Sequence, residues 1–86
     1  MANIGTAKYV ICRDDDMGME YPIIFPYYVN HSTFKDMQPI RAGFVTFDSI
    51  TGWETFGVSL SLELESHESD AQIIKATLGN SFPIKS

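Results

Sequence analysis

The sequence has little with which to staple itself together. Its single cysteine, Cys12, excludes an internal disulfide and a cysteine-based zinc site, and the two histidines, His31 and His67, are far apart. No metal-dependent fold and no cofactor are expected. Only six basic residues stand against eleven acidic ones, and the resulting net charge of -5 repels a phosphate backbone. Nucleic acid is therefore not an expected partner. No apolar run approaches the roughly 18 residues of a bilayer span, and the N-terminus lacks the basic-then-apolar order of a signal peptide. The expectation is a soluble, cytoplasmic protein with no membrane partner. What is plentiful is core material: hydrophobic residues make up 44% of the 86-residue chain and aromatic residues 13%, enough to fold one small domain, 1–86, and no second one.

Apolar periodicity divides the chain into six elements. Residues Ala7 to Arg13 read as a strand, and the run Asp14, Asp15, Asp16, Met17, Gly18 stops it, because aspartate tolerates turn dihedrals and Gly18 accepts a positive φ. Glu20 to Phe25 continues as a second strand, with Pro22 pointing to a sheet edge or a bulge. Tyr27 to Met37 changes period to a short helical stretch with Asn30 or Ser32 as its cap. From Ile40 alternation returns: Ile40, Ala42, Phe44 and Thr46 share one face, and Arg41, Gly43, Val45 and Phe47 the other. After turn residues Asp48 to Gly52, a strand from Trp53 to Glu65 sets Val58, Leu60, Leu62 and Leu64 against Gly57, Ser59, Ser61, Glu63 and Glu65. Ser66 then caps a helix carrying Ile73, Ile74 and Leu78, which Gly79 and Asn80 end; Ser81 to Ser86 form an extended arm or fray. The fold class expected is α+β in ββαββα order. It has a four-stranded, mainly antiparallel sheet, one short helix, and a C-terminal helix packed on the leucine face.

Few residues carry a plausible chemistry. Three consecutive aspartates do not converge on a cation as spaced ligands do, so they read as a solvated hairpin loop. His67 reads as an exposed first-turn residue, and His31, set among aromatics, as a packed one. Gly57-Val58-Ser59-Leu60-Ser61 lacks the second glycine and the strand-to-helix turn of a nucleophile elbow. Cys12, among apolar strand neighbours, reads as an inert buried thiol. The aromatic set exceeds the needs of a small core, which points to a subunit or partner interface. The residues expected to form it are Arg41, Phe47, Trp53, Gly57, Ser59 and Ser61, on the sheet face opposite the leucines.

Two stretches carry a resemblance. They are Pro22-Ile23-Ile24-Phe25-Pro26 followed by Val29, His31 and Ser32, and Ala42-Gly43-Phe44-Val45 leading into the run from Gly57 to Ser66. Over roughly residues 20 to 74 this pattern resembles a family of small uncharacterised phage and prophage accessory proteins. The chain departs from that pattern at His67 and Glu68, where the family carries basic residues and proline. The resemblance brings no catalytic residue with it. It implies a phage accessory protein in the host cytoplasm, and together with the small size, acidic charge and aromatic surface the expectation is a non-enzymatic homodimer that binds and inhibits a host protein, as anti-CRISPR proteins and other host-defence inhibitors do. A different reading is a protein that sequesters a small nucleotide between subunits, for which Lys8, Arg13 or Arg41 would have to converge on phosphate.

Overall fold

A computed structural model describes residues 4–48 and 50–79. The strands are β1 (Ile4–Arg13), β2 (Glu20–Phe25), β3 (Pro39–Asp48), β4 (Gly52–Phe56), β5 (Val58–Ser59) and β6 (Leu64–Glu65). A 3-10 helix (His31–Met37) joins β2 to β3, and helix α1 (Asp70–Leu78) follows β6. The main sheet is four-stranded, antiparallel and ordered β2-β1-β3-β4, while β5 and β6 form a separate two-stranded hairpin. The fold is thus the α+β class expected from the periodicity, and Pro22 lies on an edge strand, the kind of strand that tolerates a residue without an N–H.

Strand β1 is buried on both faces, so its alternation feeds two cores. Ala7, Tyr9 and Ile11 join Val45, Phe47 and Trp53 under α1, which inserts Ile74. Val10 and Cys12 join Phe25 and Ala42 on the other face, where Phe34 of the 3-10 helix and Leu62 and Leu64 of the hairpin cover them. The sheet is therefore the middle of three layers.

The long leucine strand does not form. Gly57 takes φ 79° and ends β4, and Glu63, at φ 56°, closes a tight turn between β5 and β6. This break reverses the expected packing. Ser59 is buried and its register partner Leu64 half-buried, whereas Val58 and Leu60 are exposed. Leu62 and Leu64 lie on the sheet face opposite α1, so the expected contact between the leucines and the C-terminal helix is replaced by Tyr9, Val45, Phe47 and Trp53 against Ile74.

Two further boundaries move for local reasons. A bulge opposite Ile11 and Cys12 shifts the β3 register, and Ile40 packs with the α1-side core, away from the face of Ala42. The helix begins at Asp70, three residues later than a Ser66 cap would start it: the Ser66 hydroxyl donates to the Gly57 carbonyl at 2.7 Å, and the Ser69 amide donates to His67 Nδ1 at 3.1 Å. The expected stop at Asn80 and the arm Ser81–Ser86 lie outside the described residues.

Gly43 shows why the chain can return so closely after β4. A Cβ built there would stand 2.6 Å from the Phe56 carbonyl oxygen and 2.9 Å from Ser66 Cβ. The first neighbour is backbone and cannot swing aside. Gly43→Ala is expected to lose about 1–3 kcal/mol from overpacking, read as a lower midpoint in chemical denaturation.

Candidate functional site

The most heavily charged buried cluster joins β1, β2, β3 and α1. Asp70, fully buried, accepts from the Tyr9 hydroxyl at 2.6 Å, from Arg41 Nε at 2.5 Å and from the His67 amide at 3.0 Å. Arg41 spends its Nη2 on Glu20, whose other oxygen lies 3.8 Å from Arg13 Nη2. Burial alone would lower the Arg41 guanidinium, but hydrogen bonds and charge from Glu20 and Asp70 outweigh it and raise it further. Burial, reinforced by the Asp70 carboxylate, pushes the Tyr9 phenol well above its ordinary range, so it remains a donor. Among the described residues no buried side-chain nitrogen or oxygen lacks a partner, and this chain of bonds forms a clasp between the helix and the sheet.

On the opposite face His31 is buried. Its ring meets Phe25 and Phe44 edge-on, at centroid distances of 5.4 and 5.7 Å, and Nε2 lies 2.9 Å from the Gly43 carbonyl oxygen. A carbonyl only accepts, so Nε2 carries the proton in this bond. Burial lowers the His31 pKa; the Gly43 carbonyl opposes that shift and Lys8 adds to it. The unfolded chain then binds the proton more readily than the folded one. Stability should be constant above the unfolded value of about 6.5 and fall as pH drops below it toward the lower folded value. Urea titrations across that window should show the loss, and His31→Gln, which keeps an N–H donor, should show a smaller one.

Beside His31 opens a mostly apolar cleft of about 530 Å³, bounded by Lys8, Phe44, Gly57, Val58, Ser59 and Leu60 among others. Lys8 Nζ donates to the Val29 carbonyl at 3.0 Å on one side of it, and Phe44 stacks on Phe56 at 5.7 Å on the other. A third feature is the tip formed by the β1–β2 loop and the end of the 3-10 helix. Gln38 donates to Asp15 Oδ2 at 2.6 Å and its carbonyl accepts from the Arg13 amide at 3.2 Å, fixing the loop to the helix end. The aspartates serve this turn: Asp14 Oδ1 accepts from the Asp16 amide at 3.0 Å, and the Asp14 carbonyl from the Gly18 amide at 2.6 Å. Among the described residues, no group of three or more His, Cys, Asp or Glu side chains is placed to hold a metal ion.

No family model, curated protein or solved structure matches this chain.

The six residues expected to share one interface are distributed over the molecule. Phe47 and Trp53 are buried beneath α1, where Trp53 Nε1 donates to the Gly79 carbonyl at 2.8 Å. Arg41 lies on that same face, bound to Asp70 and Glu20. Gly57, Ser59 and Ser61 belong to the cleft on the other side. Ser59 is itself buried, its hydroxyl accepting from the Leu62 amide at 3.3 Å, so it shapes the hairpin turn. Alternation correctly grouped Arg41, Gly43, Val45 and Phe47, but the Gly57 break separates them from the serines. Lys8, Arg13 and Arg41 are not brought together within the chain either: Lys8 faces the cleft, while Arg13 and Arg41 gather around Glu20. Sequence reasoning missed Asp70 as the centre of the clasp. It also missed the exposed methionines Met17, Met19 and Met37 at the acidic tip, whose signal was their interleaving with Asp14–Asp16 and Asp36.

Burial raises the Cys12 thiol above its ordinary pKa, as expected of an unreactive core cysteine. No helix among the described residues is long and apolar enough to cross a membrane.

Proposed function

We propose that this chain is a non-enzymatic phage accessory protein that binds and inhibits a host protein in the host cytoplasm, as host-defence inhibitors do. The observation that carries this reading is the tip: Met17 is 70% exposed, Met19 61% and Met37 43%, in segments that also hold Asp14, Asp15, Asp16 and Asp36. Methionine is flexible and polarizable, so it adapts to irregular apolar surfaces, and surrounding carboxylates select partners of opposite charge. A host surface bearing lysine or arginine around apolar side chains fits this chemistry. The acidic field of the whole chain would steer such a partner toward it. The candidate catalytic groups support a binding role, because His31 is engaged with a backbone carbonyl between two aromatic rings and Ser59 with the amide of its own turn.

The test is capture from host lysate with the chain and with a Met17→Ser, Met19→Ser double variant. Both side chains are exposed, so the variant should fold normally and lose the captured protein, and rising salt should weaken capture by the parent chain. Equal capture by both forms would remove the tip from the function.

A further inference from the structure

The sheet face opposite α1 is covered along only part of its length. The 3-10 helix and the β5–β6 hairpin pack over Val10, Cys12, Phe25 and Ala42. Beyond them one register row runs Lys8, Phe44, Phe56 across β1, β3 and β4, and the next runs Thr6, Thr46, Glu54. In these two rows Thr6, Glu54 and Phe56 are exposed and the rest half-buried. The rim adds apolar area: Phe56 is 48% exposed, Val58 44% and Leu60 86%. Phe44, Phe56, Val58 and Leu60 thus leave apolar area open beside the polar side chains of Thr6, Lys8, Thr46 and Glu54, the mixture of apolar centre and polar rim found at interfaces.

We propose that a second copy of this chain covers this face, forming a two-fold dimer. The charge pattern favours that occupant. Lys8 and Glu54 stand on the same face, on either side of β3 and one row apart. Among the described residues neither has an ion-pair partner. A two-fold axis lying between two such faces, crossing β3 between Phe44 and Thr46, places Lys8 over the partner's Glu54 and Glu54 over the partner's Lys8. One operation makes both pairs, as an isologous interface requires. The Phe44–Phe56 stack lies beside the axis and supplies the apolar centre, with the two charge pairs at its rim. Lys8 gives one N–H to Val29 and retains two donors for a carboxylate. The net charge of -5 on each copy opposes association at long range, and salt screens both that repulsion and the two rim pairs, so the apolar centre is the part of the interface that persists at high salt. This surface is separate from the acidic tip, and the two can fail independently.

The experiment is light scattering coupled to size exclusion across a concentration series, with circular dichroism as the check on folding. The parent chain should run as a dimer. Lys8→Glu and Glu54→Lys each create two like-charge contacts and should raise the dissociation constant by about tenfold or more. Mixing the two variants restores both attractive pairs, so the mixture should form a heterodimer that neither makes alone as tightly. Phe56→Glu should abolish assembly while the chain remains folded. A parent chain that stays monomeric throughout the series, whether or not it captures a host protein, would overturn the proposal. So would single charge variants that assemble as tightly as the parent, or a mixture no tighter than its components.

Discussion

Replacing Arg41 with alanine should cost this protein about 3–5 kcal/mol, the range expected when one member of a buried pair is removed and the other is left uncompensated. The cost falls on Asp70, whose carboxylate is fully buried at the first turn of α1 and would keep only the Tyr9 hydroxyl and the His67 amide. A domain of this size has a total stability on the order of 5–10 kcal/mol, so the variant should sit near its unfolding threshold at room temperature. The complementary change, Asp70→Ala, should be milder at Arg41, which is a quarter exposed and keeps Glu20. It should still free the start of α1 from the sheet. Urea denaturation would show the order, with Arg41→Ala the less stable of the two. A pair contributing only surface electrostatics would instead give losses below about 1 kcal/mol for both variants.

Phe47→Ala should be comparably severe, at about 3–5 kcal/mol, because Phe47 is almost wholly buried and lies at the centre of the α1-side core. Its ring contacts Trp53 at 4.6 Å between centroids, so truncation also removes the support that orients the indole toward the Gly79 carbonyl. Trp53 fluorescence provides a local readout beside the global one. The expected result is a red-shifted emission in the folded variant together with a lower denaturation midpoint. An unchanged midpoint would mean that this face is not the principal core.

The exposed residues carry the opposite expectation. Met17, Met19 and Leu60 are largely exposed, so their substitution should alter association and leave stability nearly unchanged, whereas Phe56, which stacks on Phe44, should lose some stability along with association. A protein whose apolar surface were only incidental would show no association to lose.

Local chemistry was enough to determine the body of strand β1 with its acidic turn and the alternation of Ala42, Phe44 and Thr46 against Arg41, Val45 and Phe47, and it narrowed Pro22 to an edge or a bulge and the helix cap to Asn30 or Ser32, of which the structure selects the edge and Asn30. Each of these depends on residue type and spacing within one segment. The chain from Trp53 to Glu65 shows the limit. Its alternation is as regular as any in the sequence, yet alternation records only which residues could share a face, and not whether the backbone stays extended. That was decided by Gly57, whose positive φ lets the chain turn away, and by Gly43, whose missing side chain lets the turning backbone approach β3. Once the strand broke, Ser59 turned inward and Leu60 outward, and the leucines passed to the face that the helix does not cover. The pairing of Asp70 with Arg41, 29 residues away in the chain, was likewise invisible to any local pattern. A buried carboxylate is tolerated where hydrogen bonds and a cation are already placed to meet it, and that placement comes from the sheet register that sets Arg41 beside Ile11 on the face α1 covers.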